Sequence, residues 1–368
     1  MGDNKKFYYF SLGRNAIYAV LKILNISKND EVLTPAWDCD SCLEPFRVVG
    51  CKPIFYRSNP YTFEVDLDHI KGLITSKTKL IHIINHFGQS QPWEPILQFR
   101  NDIGIPILED NAYSFLSGIK GKKFGDFGDF SIFSLRKNLP IPDGGLLKIN
   151  SDHKFNLKQN KSKLLYRSEF PFVINRMIFL MKQSVKLEQS SFSRMIKGQR
   201  YAPSNPLPLF SDNKQGFPVA ARGGLSKDFA EDYLRPMSLL SKLVLKFYYE
   251  KKFDEIAKMK REYYRYLVGE LEQQKGITLL HPKLREGVVP YCLNLLVGEN
   301  RDKILLNLVG KKYPVMAWPT LPIDVMSNLE KYPEVNMLGT KLIQINLNPQ
   351  YEFRVYTRLI KDFIAITS

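Results

Sequence analysis

The chain has 368 residues, 44% of them hydrophobic and 24% charged. That length suits two domains of roughly 100–200 residues each, and that composition excludes a mainly disordered chain. The formal net charge of +16 favours anionic partners such as phosphorylated metabolites.

The N-terminal residues Met1 to Lys6 lack the apolar core of a signal peptide. No apolar run approaches the roughly 20 residues of a membrane span, so a cytoplasmic location is expected. Asn15 to Leu24 repeats apolar residues at helical spacing, and Gly13-Arg14-Asn15 opens that helix. Short strands are predicted at Glu31 to Thr34 and Lys52 to Tyr56. Others are predicted at Leu80 to Ile84, Ile105 to Leu108, Phe130 to Leu135 and Gly145 to Ile149. The run Leu80-Ile81-His82-Ile83-Ile84 is nearly unbroken, as in parallel strands buried on both faces. Helical stretches such as Trp93 to Arg100 lie between several of these strands. The alternation predicts an α/β domain with a mostly parallel sheet.

Beyond about position 150 the pattern changes. Positions 151 to 200 hold eleven Lys/Arg against three Asp/Glu, which is half the net charge. The span 151–225 reads as a basic, irregular insertion. A long helical region follows from Asp228 to Gln274, broken near Pro236. From Ile277 onward strands and helices alternate again, as in a smaller α/β domain. The expected division is 1–235 for the larger domain and 236–368 for the linking helix and the smaller one.

The chemistry-bearing residues fall where strands end. Asp110 closes the strand that runs through Ile107, and ligands of open α/β sheets bind beyond the carboxyl ends of strands. An ionised Asp there can hold a pyridine nitrogen in its protonated form. Ser134 and Lys137 form S-x-x-K after Phe130 to Phe133. The lysine amine could carry a cofactor aldehyde as a Schiff base, and the serine hydroxyl could meet a cofactor phosphate. The backbone N–H groups of Gly13 and Arg14, at a helix N-terminus, suit the same phosphate, and the Arg14 side chain adds a charged donor to it. Trp37 and Cys39 follow Pro35 and could lie against a cofactor ring. His86, at another strand end, could hydrogen-bond a substrate. Cys39 and Cys42 form a C-x-x-C without a second pair or a nearby His, so no metal site is expected.

In order and spacing these pieces resemble the DegT family of pyridoxal-phosphate enzymes, which includes most nucleotide-sugar aminotransferases. The matching stretches are Ser11 to Ala16, Asn29 to Ala36, His86 to Gln89, Leu108 to Ala112, Gly128 to Ser134, Lys137 to Leu139 and Asp143 to Gly145. In the tail, Ala317-Trp318-Pro319 and Ile343 to Asn348 join them. The resemblance implies a fold-type-I architecture, with a mainly parallel seven-stranded sheet and a smaller C-terminal domain. It implies pyridoxal 5'-phosphate as cofactor and a homodimer with a shared active site. Lys137 and Asp110 would be catalytic. Gly13, Arg14, Asn15, Trp37, Cys39, Ala112, Tyr113 and Ser134 would surround the cofactor, with His86 and Trp318 toward the substrate.

The departures bear on substrate. Only Leu135 and Arg136 separate Ser134 from Lys137, where the family usually has two more residues. Tyr113 stands where the family often has Gln or His, and the ring-stacking aromatic is replaced by Cys39 or supplied by Trp37. The family's segment that reaches into the partner subunit is not found, and 151–225 occupies its place. The leading expectation is transamination from glutamate to a ketone on a phosphorylated or nucleotide-linked sugar, in surface polysaccharide or related biosynthesis. The alternatives are decarboxylation, elimination or transamination of a small phosphorylated amino acid or triose phosphate, and a non-catalytic cofactor-binding relative. Nucleic acid is not an expected partner, because no helix-turn-helix or zinc signature accompanies the basic stretch. The segment Lys163 to Lys186 mixes basic and bulky apolar residues. It could lie on a membrane surface, but a role over the active site or across a dimer is preferred.

Overall fold

The computed structural model describes residues 6–150, 159–170, 173–174, 229–230, 232–298, 300–317 and 320–367. Most of the basic insertion, including most of 163–186, lies outside the described residues.

The first 150 residues build one twisted sheet. β1 (Lys6–Phe10) leads into α1 (Gly13–Ile23), then β2 (Glu31–Pro35), α2 (Asp40–Val49) and β3 (Lys52–Tyr56). α3 (Leu67–Leu73), β4 (Thr78–Ile84), α4 (Trp93–Ile103) and β5 (Ile107–Asp110) follow. A small hairpin, β6 (Gly118–Ile119) and β7 (Lys122–Lys123), precedes β8 (Phe130–Ser134), α5 (Leu135–Asn138) and β9 (Gly145–Ile149). The sheet order is β1-β9-β8-β5-β4-β2-β3. The neighbours from β8 through β3 pair in parallel, whereas β9 runs antiparallel to both β8 and β1. The expected seven-stranded, mainly parallel sheet is therefore present, and its carboxyl ends share one edge.

Three local differences from the sequence reading have physical causes. β1 joins the six expected strands as an edge strand, and its exposed Phe7 and Tyr9 hide the usual half-buried alternation. α2 carries Pro45 in its interior, a residue that normally breaks helices. The helix is closed by Gly50 in the left-handed region, φ 75°. β5 begins at Ile107 rather than Ile105, one residue past Pro106, which has no N–H to give a ladder.

The smaller sheet has the order β10-β11-β13-β12, all antiparallel: β10 (Ile277–Leu280), β11 (Cys292–Val297), β12 (Val315–Met316) and β13 (Leu342–Asn346). Period-two alternation sorts its faces. Leu293, Leu295, Ile343 and Ile345 pack under the helices Phe253–Leu271, Arg301–Gly310 and Phe353–Thr367. Cys292, Leu296 and Leu342 face the other way, into the same core as Ile17 of α1, Val32 of β2 and Phe46 of α2. The helical region before this sheet is less regular than the periodicity predicts. A helix at Leu239–Val244 passes through a π-turn at Leu245–Tyr249 and a tight turn at Glu250–Lys252 before Phe253–Leu271.

Asp143, in the loop before β9, ties this linking region to the sheet. Its carboxylate accepts the Ser238 N–H at 2.8 Å, the Ser238 hydroxyl at 2.6 Å and the Ser241 hydroxyl. Burial, reinforced by Asp143, pushes the neighbouring Glu169 carboxyl up to about 8.

Lys260, on the long helix, is 2% exposed, with its ammonium 5.7 Å from the Tyr291 ring. Burial pulls its pKa from 10.5 down to about 8. The buried charge therefore penalises the folded state at every pH below about 8, and the penalty fades as pH rises toward 10.5. Lys260→Met should raise stability by about 3 kcal/mol at pH 7, and the gain should shrink toward zero as pH rises past about 10.5. Urea unfolding across that range checks this, and a pH-independent difference would contradict it.

Candidate active site

Because the strands from β3 to β8 are parallel, the residues that follow them collect at one sheet edge. Asp110 ends β5, Ser134 ends β8, and Trp37 to Cys39 follow β2.

Gly13 opens α1 beside Ser134. A Cβ placed on Gly13 would stand 3.5 Å from the Ser134 Cβ, so a side chain there would fill the space in front of the serine. The Ser134 hydroxyl takes no hydrogen bond among the described residues. Backbone N–H groups at the start of an eleven-residue helix and a spare hydroxyl make a cradle for an anion.

Lys137 lies in the short turn α5, which Asn138 fixes in place. The Asn138 side-chain amide donates to the Ala112 carbonyl at 3.0 Å and to the Ser134 carbonyl at 3.2 Å. That locks the lysine turn against the turn after β5. The Lys137 ammonium sits 3.9 Å from the Tyr113 ring centroid and has no hydrogen bond or ion pair among the described residues. Tyr113 packs in turn against Phe87 at 5.5 Å and Tyr291 at 4.8 Å.

Asp110 is 1% exposed. Its Oδ1 accepts the Ala112 N–H at 2.7 Å, and its Oδ2 faces His82 Nε2 at 3.1 Å. Asp110 ends β5 and Lys137 stands in the turn after the adjacent strand β8, so the two groups come to the same sheet edge. Cys39 lies within reach of Lys137, and its Sγ is 3.1 Å from the Ser41 hydroxyl. Burial raises the Cys39 and Cys42 thiols above their ordinary range.

Several expected site residues do other work. Arg14 turns its guanidinium to Glu44 at 2.7 Å, leaving only its backbone for the anion cradle. Asn15 spends its amide on the chain: Oδ1 accepts the Leu12 N–H at 3.1 Å, and Nδ2 donates to the Asp232 and Tyr233 carbonyls at 3.1 and 2.9 Å. It caps α1 and pins a distant loop rather than facing a ligand. His86 is 2% exposed, contacts the Trp37 carbonyl through Nε2 at 3.1 Å, and packs on Phe63 and Phe87. Burial holds it neutral down to about pH 4, as a core histidine. Trp37 is part of the main core. Trp318 lies outside the described residues.

Three residues of the site escape the sequence reading: Thr34, Asp38 and His82. All are buried at 1% exposure or less. A histidine inside an apolar strand was the available signal.

The sequence profile of the DegT/DnrJ/EryC1/StrS aminotransferase family matches residues 7–160. The UDP-2-acetamido-2-deoxy-3-oxo-D-glucuronate aminotransferase of Pseudomonas aeruginosa is 29% identical over 143 residues, 38% of this chain and 40% of that one. The GDP-perosamine synthase of Escherichia coli O157:H7 is 32% identical over 142 residues, 38% and 39% of the two chains. The chain thus spans about two-fifths of the length of the curated relatives it matches. Among solved structures, a DegT DnrJ EryC1 StrS aminotransferase from Brucella abortus superposes with a TM-score of 0.67 at 15% identity, covering 98% of this chain and 86% of that one. A Streptococcus pneumoniae protein solved in its PLP form gives 0.67 at 16% identity, covering 98% and 87%. By sequence, residues 7–160 are similar to the DegT/DnrJ/EryC1/StrS aminotransferase family, and across nearly its whole length the chain shares the fold-type-I architecture of these solved structures.

Proposed function

We propose that the chain is a pyridoxal-phosphate-dependent aminotransferase that carries an amino group, from glutamate, to a ketone on a phosphorylated or nucleotide-linked sugar. The observation that carries this reading is Lys137, an amine with no hydrogen bond or ion pair among the described residues, in the turn after β8, with the buried Asp110 ending the adjacent strand β5.

The donor set fits the cofactor. The space that a Cβ on Gly13 would fill, the Ser134 hydroxyl and the N–H groups of Gly13 and Arg14 would hold its phosphate. Asp110 would hold the proton on its ring nitrogen. Lys137 would attach to it covalently, with Cys39 and Tyr113 as neighbours. Bound pyridoxal phosphate supplies an electron sink for charge that develops at the substrate carbon. Lys137 would move a proton at that carbon as general base and then general acid. The Tyr113, Phe87 and Tyr291 cluster keeps water from the face where Lys137 stands. The net charge of +16 supports an anionic acceptor. A second copy of the chain is proposed to complete the site.

The test is the absorption spectrum of the purified protein with added pyridoxal phosphate, for the native chain and Lys137→Ala. A lysine-linked band should form only in the native chain, and glutamate should convert it to the amine form of the cofactor. Turnover should fall by about 10³-fold in Lys137→Ala. A band that ignores glutamate and other amino donors would redirect the reading to decarboxylation or elimination. No band in either protein would sink it.

A further inference from the structure

β4 and β5 pair in parallel, with His82 opposite Leu108 and Ile84 opposite Asp110. The His82 and Thr34 side chains are closed to water, and Asp110 is 1% exposed. An imidazole placed among strand residues such as Ile81 and Ile83 is costly unless its nitrogens are partnered. Both are. Nδ1 lies 3.0 Å from the Thr34 hydroxyl, and Nε2 lies 3.1 Å from Asp110 Oδ2. A hydroxyl that donates to Nδ1 leaves the hydrogen on Nε2, so the ring donates to the carboxylate. The Ala112 N–H fills the other oxygen. The His82 backbone is fixed as well, because its carbonyl accepts the Tyr56 hydroxyl at 2.8 Å.

Resting on the functional reading above, we propose that His82, oriented by Thr34, is a positioning residue that holds Asp110 as an aimed carboxylate beneath the cofactor's ring nitrogen. Without the imidazole, Oδ2 has no donor among the described residues, and a buried carboxylate that has lost its partner is held less firmly beneath a protonated pyridine. The other titratable groups packed around the pair are Asp38, Cys42, Tyr56 and His86. None of them has a hydrogen bond to Asp110 that would replace the one from His82.

The test loads the full chain with pyridoxal phosphate labelled with nitrogen-15 in the ring. It reads the ring-nitrogen chemical shift and the cofactor dissociation constant. In the native chain the shift should be that of a protonated pyridine. In His82→Phe it should move to the unprotonated value, and the cofactor should bind about 10–100-fold more weakly, as when other outer-shell partners are lost. His82→Gln, which restores an N–H near Nε2, should recover part of both. Thr34→Val should shift both in the same direction by less. Native-like shift and affinity in both His82→Phe and Thr34→Val overturn the proposal. Should His82→Phe not fold, Thr34→Val decides alone: a shifted signal supports it and a native one overturns it. Absence of cofactor binding by the native chain overturns the functional reading and this inference together.

Discussion

Gly145→Ala is expected to destabilise the fold by about 3 kcal/mol and to loosen the anion cradle at the same time. Gly145 is the first residue of β9, opposite Phe10 of β1 and Ser134 of β8. A Cβ there would overlap the Leu12 carbonyl and stand 2.8 Å from the Gly13 nitrogen. Backbone cannot step aside as a flexible side chain can, so either β9 or the start of α1 must move. That start carries the N–H groups assigned to the phosphate. Thermal unfolding without cofactor reads the first effect, and cofactor affinity measured well below the melting temperature reads the second. Gly269→Ala is the control, because nothing lies within 4 Å of its new methyl group and it sits on an exposed helix face. That change should instead stabilise by about 0.5–1 kcal/mol. Equal effects at the two positions would mean that the close approach of β9 to α1 is not what Gly145 provides.

The difference between these glycines is invisible in the sequence, and the same holds for much of the site. What was legible is what strand order dictates. Lys137, Asp110 and Ser134 follow buried strands, and parallel strands deliver their carboxyl ends to one edge. The division between a mostly parallel sheet and a smaller domain was legible too, because apolar runs alternate with helical spacing on either side of the basic stretch, although that pattern marked only six of the seven strands. What was not legible depends on partners far along the chain. Asn15 reads as a helix opener near a phosphate, yet its amide is taken by carbonyls 217 and 218 positions away. Arg14 reads as a phosphate ligand, yet Glu44, 30 positions on, takes its charge. His86 ends a strand as a substrate ligand would, but the Phe63 and Phe87 rings close over it. His82 is the converse. It looks like one polar interruption in an apolar strand, and only the pairing of β4 with β5 shows that it lies beside Asp110.

Asp38→Asn should stabilise the protein, by an amount that depends on pH. Asp38 is 1% exposed and accepts the Cys39 N–H at 2.6 Å, with the Cys42 thiol, a weak donor, beside it. Burial pushes its carboxyl from 3.8 up to about 7. The charge of Asp110 adds to the shift, and the hydrogen bond from the Cys39 N–H opposes it. The folded chain therefore holds a proton on Asp38 that the unfolded chain releases above about pH 4. Between those two values the unfolded state binds fewer protons, so native stability falls as pH rises. Above about 7 the folded chain carries a buried charge and the penalty is constant. Asparagine keeps the acceptor for Cys39, offers N–H where the acid has O–H, and never ionises. The gain should be near zero at pH 4, grow through pH 5 and 6, and level off at about 3–4 kcal/mol above pH 7. Urea midpoints for both proteins across pH 4 to 8 measure it. A gain independent of pH would mean that Asp38 is already ionised at pH 4, as a carboxylate held by more donors than Cys39 and Cys42 supply. The same carboxyl group sits beside Asp110, so its titration near neutrality would also bring a second negative charge under the ring nitrogen within the working pH range. Comparing the pH profiles of cofactor binding in the native chain and Asp38→Asn separates that electrostatic effect from the change in stability.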